Sequence, residues 1–179
     1  MTLIFETHAT SLDNEARRAS GHYDVALSPL GESQARDLGV RHASNLPALV
    51  VASDLVRAWR TAEIAFGGRV PIERDARLRE CDYGTLTRRP TEEVDRWRPR
   101  AIDEPFPGGE SYRQATARVA ALVDELARRP GLSGPVMLIG HRATHYALRS
   151  LLDGVPLEEA VLAPWAWQPG WIYQVAGSQ

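Results

Sequence analysis

Three short, uninterrupted apolar runs constrain the fold of this chain more than any other feature of its sequence. They occupy residues 3–5, 48–52 and 136–140. Runs of this length are typical of strands that are buried on both faces of a sheet. Segments with the helical spacing of apolar residues lie between them, as in proteins with a parallel sheet covered by helices. We therefore predict an α/β fold, a three-layer sandwich with a mainly parallel central sheet flanked by helices.

The remaining segments predict the elements around that sheet. Helices are expected at five places: from residue 29 to 42 or 45, a segment capped by Ser53 and Asp54, and residues 91–98, 112–129 and 144–152. Residues 70–72 and 171–175 are predicted as shorter strands. Residues 10–29 form a long polar stretch without periodicity, and such loops are commonly functional. No repeat, linker or change in composition divides the chain, so we predict a single domain over residues 1–179.

The composition narrows the functional classes. With 179 residues, 44% of them hydrophobic, the chain can bury one core, and its net charge of −2 argues against a protein that mainly binds nucleic acid. No apolar run approaches the roughly 20 residues of a membrane helix, and the single Cys81 fits a reducing compartment, so a cytoplasmic location is expected. All 21 basic residues are arginines. Without lysine there is no Walker A loop and no Schiff-base lysine, so fixed positive charge in a site must come from arginine.

Two of the predicted strands run into a histidine. His8 follows the first apolar run closely, and His141 follows the last one directly. If the two strands lie side by side, both imidazoles meet at the sheet edge where open α/β proteins bind their ligands. The strand over residues 48–52 leads to the same edge and delivers Arg57 at the start of a helix. Two histidines and an arginine favour an anionic ligand, and phosphate is the natural one because guanidinium binds it bidentately.

Other kinds of site fit the sequence less well. His141 and His145 share a helical face, as metal ligands often do, but Arg142 stands where zinc proteases have glutamate and would repel a cation. Cys81 lacks the arginine that cysteine phosphatases carry six positions later, because residue 87 is threonine. The chain contains no Gly-x-Ser-x-Gly elbow and no Gly-x-Gly-x-x-Gly turn. We predict neither a metal nor a cofactor.

Six motifs occur in one order along the chain. They are Thr7-His8-Ala9-Thr10-Ser11 followed by Asn14, residues 21–31, Ser53-Asp54-Leu55-Val56-Arg57-Ala58-Trp59-Arg60-Thr61, Leu78-Arg79-Glu80-Cys81-Asp82-Tyr83-Gly84, Pro107-Gly108-Gly109-Glu110-Ser111, and Gly140-His141. Together they resemble the histidine phosphatase superfamily, the phosphoglycerate-mutase-like proteins, over essentially the whole chain. Each motif alone is a weak signal, whereas the ordered set is a strong one.

The resemblance implies a metal-independent phosphomonoester hydrolase that acts on a small phosphorylated or otherwise anionic molecule. His8 would be the nucleophile that forms a phosphohistidine, and Arg57 and His141 would hold the phosphoryl group. Glu80 would act as general acid and then as general base, with Asp82 as the alternative acid. Further substrate contacts would come from Thr7, Ser11, Asn14, Gly21 and Arg142. Neither nucleic acid nor a membrane is expected as a partner, and the protein is expected to be a monomer or a homodimer.

The nucleophile stretch departs from the family pattern. Thr7 stands where the family has a phosphate-binding arginine, and Arg142 stands where it usually has glycine. Losing one charge-assisted hydrogen bond costs about 10–100-fold in rate. In one outcome, Arg142 replaces the missing guanidinium instead of pointing to solvent. In a second, the pocket serves a substrate with less phosphate charge or other acid–base chemistry. In a third, the protein is a degenerate member that binds a phosphorylated ligand or a protein without turnover.

Two further features bear on the substrate. The segment between Gly84 and Gly108 is shorter than the cover of true mutases, which favours a phosphatase. Trp165, Trp167 and Trp171 predict an aromatic patch near the C-terminus. Core packing or a dimer contact is its expected role, and an aromatic surface for the substrate is the alternative.

Overall fold

The structure of the protein is a computed structural model, and it describes residues 1–175. The strands in this part of the chain are β1 (Thr2–Thr7), β2 (Leu49–Ala52), β3 (Ile72–Arg74), β4 (Val136–Gly140) and β5 (Trp171–Gln174). The helices are α1 (Leu12–Glu15), α2 (Pro29–Arg41), α3 (Val56–Phe66), α4 (Thr91–Trp97), α5 (Tyr112–Arg128), α6 (Arg142–Leu152) and α7 (Leu157–Leu162). Short 3-10 turns cover Ala76–Leu78, Gly84–Leu86 and Arg100–Ile102. None of the helices within these residues is long and apolar enough to cross a membrane.

The five strands form one sheet in the order β3-β2-β4-β1-β5. β1 to β4 are parallel, and β5 at the edge pairs antiparallel with β1. The three apolar runs of the sequence are β1, β2 and β4, and they take the three central positions, where both faces of a strand are covered. Every residue of β2 and β4 is buried. The predicted α/β fold, with a mainly parallel sheet flanked by helices, is confirmed.

Helices cover both faces of the sheet, and alternate strand residues point to opposite faces. Phe5 and Leu138 pack in one apolar cluster with side chains of α5 and α6. Val50 and Met137 pack in another cluster with Phe66 and other side chains of α2 and α3. All five of these side chains are 0% exposed. Burying one such side chain contributes about 1.5–3 kcal/mol to the free energy of unfolding. The two clusters together therefore hold the central strands in place.

A third apolar cluster lies beneath the segment that follows β3. It joins Tyr83 and Phe106 to Tyr112 of α5 and Tyr146 of α6. The ring centroid of Phe106 lies 5.1 Å from that of Tyr83 and 5.9 Å from that of Tyr112, both in edge-to-face contacts. This packing anchors the backbone around Glu80 against α5 and α6.

The polar stretch over residues 10–29 contains a short helix that the sequence did not predict. Ser11 caps this helix, α1: its hydroxyl accepts from the amide of Asn14 at 3.2 Å, and its own amide donates to Oδ1 of Asn14 at 2.9 Å. The prediction of a stretch without regular structure was wrong here. A helix of 4 residues is too short to show a helical period in its sequence.

The predicted cap of α3 by Ser53 and Asp54 was also wrong. The helix begins at Val56, and the carboxylate of Asp24 accepts the amide hydrogen of Val56 at 2.6 Å. Asp54 instead accepts two hydrogen bonds from Arg79, at 2.8 and 2.6 Å. The cap is therefore a long-range contact from the preceding loop, which no local pattern predicts.

Other boundaries differ by one or two residues, and α7 was not predicted. α6 begins at residue 142 and not at 144, because the chain turns into the helix directly after the strand-end histidine. β3 is shifted by two residues, and β5 ends one residue earlier than predicted. Shifts of this size are common at the ends of elements.

Candidate active site

The two strand-end histidines lie side by side. β1 pairs with β4 in a parallel register that sets Thr7 opposite Gly140. The amide of His8 extends this ladder by donating to the carbonyl oxygen of Gly140 at 2.9 Å. As a result, the rings of His8 and His141 have their centroids 4.9 Å apart. This is the adjacency that a shared site at the sheet edge requires.

His8 presents one ring nitrogen as a free lone pair. Its Nδ1 lies 2.7 Å from the carbonyl oxygen of Ala9. Since that oxygen can only accept, Nδ1 carries the proton and Nε2 is unprotonated. Burial, and then the positive charge of Arg57, lower the pKa of His8 to about 3, so the imidazole is neutral at pH 7. The amide of Ala9 donates to the hydroxyl of Thr61 at 3.0 Å, which fixes the loop that carries the ring.

His141 is buried with both ring nitrogens unpaired. The residue is 1% exposed, and neither Nδ1 nor Nε2 has a hydrogen-bond partner among residues 1–175. Burial, and then the charge of Arg57, lower the pKa of His141 well below its ordinary value, so this ring is neutral as well. An unsatisfied buried polar atom costs about 1–3 kcal/mol. A ligand oxygen beside His8 would remove part of that cost by accepting the ring N–H.

Arg57 brings a fixed positive charge to the two histidines. It lies in the first turn of α3 and is 2% exposed. Its guanidinium donates to the carbonyl oxygens of Tyr23 at 3.0 Å and Gly21 at 2.8 Å. Gly21 has a φ of +51°, which glycine adopts without strain, and this turn presents its carbonyl to Arg57. Burial lowers the pKa of Arg57, but a guanidinium stays protonated at neutral pH. Both partners are neutral carbonyls, so the charge remains available to an anion.

Glu80 lines two cavities together with His8 and is held by backbone amides. Its Oε1 accepts from the amides of Cys81 at 2.8 Å and Ala143 at 3.1 Å. Ala143 lies in the first turn of α6, where backbone amides have no partner within the helix and can donate to a side-chain oxygen. Because both bonds go to Oε1, Oε2 is left for a ligand or a water molecule.

The main chain at Glu80 is fixed from two sides. Its carbonyl oxygen accepts from Nε2 of His22 at 2.8 Å and from Arg118 of α5 at 2.9 Å. Arg118 also pairs with Glu110 at 2.5 Å and donates to the carbonyl oxygen of Arg77 at 2.7 Å. The sequence did not identify His22 or Arg118 as supports of the acid. His22 lies in the loop motif and Arg118 in the predicted helix over residues 112–129. No local pattern in either segment predicts a contact with Glu80.

His8 lines three cavities, and Glu80 lines two of them with it. The larger, of about 230 Å³, is lined by Thr7, His8, Asn14, Glu80, His141, Arg142, Trp165 and Trp167. The smaller, of about 90 Å³, faces α4 and includes Gly21, Arg57, Tyr83 and Asp95 in its lining. His8, Asn14, Glu80 and Arg142 line both cavities. The structure thus brings the four predicted catalytic side chains to one region of the sheet edge.

Four of the five predicted substrate-contact residues line these cavities: Thr7, Asn14, Gly21 and Arg142. Oδ1 of Asn14 is occupied by the amide of Ser11, which leaves the Nδ2 hydrogens for a ligand. Ser11 itself is 0% exposed and lines neither cavity. Its hydroxyl caps α1, so this geometry gives Ser11 a structural role in place of the predicted substrate contact.

The predicted aromatic patch divides between the core and the site. Trp171 packs against the apolar core and against His145, with ring centroids 4.5 Å apart. Trp165 and Trp167 line the larger cavity. His145, the candidate second metal ligand, is enclosed by aromatic rings and does not share the surroundings of His141. Within residues 1–175, no group of three or more His, Cys, Asp or Glu side chains could hold a metal ion.

The third cavity, of about 400 Å³, is lined by Thr7 and His8 as well. Glu6, Gln34, Asp37 and Arg41 are part of its lining, and Glu6 pairs with Arg41 at 3.0 Å. Neither Glu80 nor Arg57 lines it. His8 therefore shares the two smaller cavities with Glu80, and these two cavities form the candidate site.

The chain is similar to known proteins of one family. The sequence profile of the histidine phosphatase superfamily (branch 1) matches residues 3–168. The Salmonella paratyphi C protein named "Probable phosphoglycerate mutase GpmB" is 36% identical over 158 residues, covering 83% of this chain and 73% of that protein. The solved structure of Bacillus stearothermophilus YhfR has a TM-score of 0.85 at 28% identity, covering 98% of this chain and 92% of that one. A mycobacterial glucosyl-3-phosphoglycerate phosphatase has a TM-score of 0.76 at 28% identity, covering 89% and 82% of the two chains.

Proposed function

This chain belongs to the histidine phosphatase superfamily, and from that premise we propose that it hydrolyses small phosphomonoesters through a phosphohistidine formed at His8. The observation that carries the proposal is the state of the His8 ring. Its Nδ1 proton is held by Ala9 and its Nε2 lone pair is free on a neutral imidazole, as attack on phosphorus requires. Arg57 and His141 stand beside it with donors for the equatorial oxygens of the phosphoryl group.

In the first step, the Nε2 lone pair of His8 attacks phosphorus and the P–O bond to the alcohol breaks. The leaving oxygen takes a proton from the carboxylic acid of Glu80, so a neutral alcohol departs and Glu80 is left as a carboxylate. The ring becomes positively charged as the N–P bond forms. The hydrogen bond from Nδ1 to Ala9 stabilises that charge, because a hydrogen bond from a charged donor is stronger.

In the second step, water takes the place of the alcohol. Glu80 accepts a proton from the water as its oxygen attacks phosphorus, the N–P bond breaks, and the electron pair returns to Nε2 of His8. Inorganic phosphate leaves, with His8 neutral and Glu80 protonated again. Since Oε1 of Glu80 stays bonded to two backbone amides, Oε2 is the atom that moves the proton in both steps.

We propose water and not a second alcohol as the acceptor of the phosphoryl group. Related proteins are named both as a mutase and as a phosphatase, so their names do not decide between these acceptors. The cover over the site consists of α4, with 7 residues, and two short 3-10 turns. The cationic side chain that this cover contributes to the cavity lining is Arg98, which is bonded to Asp95. The cover itself would therefore add little free positive charge for a second phosphate group.

The competing function is binding of a phosphorylated ligand without turnover. Thr7 is the observation that favours it, because the end of β1 carries no guanidinium. Such a protein would still bind phosphate through Arg57 and His141, but it would form no covalent intermediate.

Covalent labelling separates the two functions. The protein is mixed with a panel of ³²P-labelled phosphomonoesters and denatured in alkali, in which phosphohistidine survives, and the labelled peptide is identified. We expect label on the peptide that contains His8, and none in His8→Asn. His42→Gln is the matched control, since His42 lines neither cavity of the site, and it should label normally. The proposal fails if the unchanged protein binds inorganic phosphate but gains no label and turns over no ester. Faster transfer of label to an added alcohol than to water would instead identify a mutase.

A further inference from the structure

The charges in the site do not balance those of a phosphomonoester. Such a group carries about −1.5 to −2 charges at neutral pH. His8 and His141 are both neutral there, because burial lowers the pKa of each. Arg57 is then the one fully buried cation described at the site, and about one negative charge of the ligand is left without a partner. Uncompensated charge is costly in a buried site.

We propose that Arg142 supplies the second guanidinium that the oxyanion needs. This inference rests on the proposed function and identifies the residue of this chain that completes the neutralisation of the phosphoryl group. Arg142 is the first residue of α6 and lines both cavities that His8 and Glu80 line. Arg142 follows β4, whose last residue, Gly140, pairs with Thr7 of β1. Arg142 therefore enters the site from beside Thr7.

The other cations in the cavity lining are less suited to this role. Arg98 also has a buried Nε without a partner among residues 1–175, but it is paired with the carboxylate of Asp95 and lines only the smaller cavity. Arg18 is exposed and lines only the smaller cavity, so solvent screens its charge. Arg142 is partly buried, and it pairs with no carboxylate in the cavity lining.

Aromatic rings orient the guanidinium of Arg142. Its Cζ lies 5.1 Å from the ring centroid of Trp165 and 6.0 Å from that of Tyr146. Cation–π contacts of this kind hold a guanidinium without using its N–H donors. Nε of Arg142 is buried and has no hydrogen-bond partner among residues 1–175. The side chain of Arg142 therefore does not point to solvent. Its unpaired N–H donors are removed from water, and an anion that accepts hydrogen bonds from them would offset the cost of that desolvation.

Phosphate binding tests the inference directly. Inorganic phosphate is titrated into the protein by calorimetry, with orthovanadate as a second probe, for the unchanged protein, Arg142→Ala and Arg142→Lys. Arg149→Ala is the matched control, because it removes the same charge from the same helix and lines neither cavity of the site. We expect Arg142→Ala to weaken phosphate binding, and to lower kcat/KM for a phosphomonoester, by about 10–100-fold. Arg142→Lys should recover part of the loss, since it keeps the charge but lacks the planar fork.

The outcomes separate the inference from the function beneath it. Arg149→Ala should bind phosphate as the unchanged protein does. Unchanged phosphate binding in Arg142→Ala overturns the inference, and so does an equal loss in Arg149→Ala, which would indicate bulk charge alone. A loss in Arg18→Ala without one in Arg142→Ala also overturns it and assigns the role to Arg18. Phosphate binding reports on Arg142 whether or not an ester is turned over, whereas label on His8 reports on the proposed function.

Discussion

The variant Glu80→Gln removes an ionisable group from the site while keeping its shape. In the protein, Oε1 of Glu80 accepts from the amides of Cys81 and Ala143 at 2.8 and 3.1 Å. The amide oxygen of glutamine can accept the same two bonds, so the loop should stay in place. Where Glu80 is ionised, each bond also has a charge-assisted part of roughly 1 kcal/mol, which the amide lacks. The free energy of unfolding should therefore fall by no more than about 2 kcal/mol, and denaturant titration checks this limit.

The expected kinetic effect of Glu80→Gln is larger and depends on the leaving group. General acid–base catalysis typically contributes about 10²–10⁴-fold, which equals about 2.7–5.4 kcal/mol of the barrier. An alkyl phosphate needs a proton on its leaving oxygen, so its cleavage should lose this whole factor. The nitrophenolate ion that leaves 4-nitrophenyl phosphate is stable without a proton, so P–O cleavage in that ester should be slowed little.

Rapid mixing of Glu80→Gln with 4-nitrophenyl phosphate measures the two steps separately. Release of nitrophenolate should begin with a burst that is stoichiometric with the enzyme. A slow steady rate should follow, because the second step still needs a base to take a proton from water. Phosphohistidine should accumulate on His8 over the same period, where alkaline quenching can detect it.

Equal losses for the alkyl and aryl esters, with no burst, would refute the assignment of Glu80 as the acid. Asp82→Asn is the matched control, because Asp82 is the alternative acid and lies two residues further along the chain. Its Oδ1 accepts from the amide of Gly84 at 2.9 Å, and the residue lines neither cavity of the site. We expect Asp82→Asn to hydrolyse both esters normally. A loss in this variant that is confined to the alkyl ester would transfer the role to Asp82.

Three further predictions concern the structure that holds the site. Asp24→Ala removes the distant cap of α3, so it should lower the free energy of unfolding by about 1 kcal/mol, which denaturant titration measures. It should also weaken phosphate binding, because Arg57 lies in the first turn of that helix, and calorimetry measures this effect. Gly31→Ala would place a Cβ 2.0 Å from the carbonyl oxygen of Thr10. This overpacking should lower the free energy of unfolding by about 1–3 kcal/mol, and it should slow turnover by displacing the loop that carries His8. Normal stability together with normal turnover would contradict the prediction. The pKa values of His8 and His145 are lowered from 6.5 to about 3 and about 4 in the folded protein, so below pH 6.5 the unfolded chain binds more protons than the folded one. The free energy of unfolding should therefore fall as the pH falls from 6.5 toward 4, by up to about 1.4 kcal/mol per pH unit for each histidine, and an equally steep fall in His145→Phe would contradict this origin.

Local sequence patterns predicted the elements whose burial follows a simple rule. The run over residues 136–140 is β4 without any shift, because a strand buried on both faces needs apolar side chains throughout. α5 was predicted within one residue of its end, since a long helix shows its apolar face repeatedly. α1, with 4 residues, and α7, with 6, were missed, because so few residues cannot establish a period.

The candidate site likewise contains some features that local sequence patterns predict and others that they do not. His8, Glu80, His141 and Arg57 could be identified as candidates because each stands in a recognisable segment. The contacts that prepare them could not, since they join residues far apart in the chain. The cap from Asp24, the amide of Ala143 on Glu80 and the aromatic support of Arg142 are contacts of this kind.

The amino-acid pattern alone locates the central strands, shows that two of them are followed by a histidine, and shows that Thr7 leaves the end of the first strand without a guanidinium. The pairing of β1 with β4 and the position of Arg142 in the lining of the same cavity are visible in the folded protein alone. This difference follows from how far apart in the chain the interacting residues are. Periodic burial is set by adjacent residues, whereas strand order and side-chain placement depend on how all the packed layers fill space together.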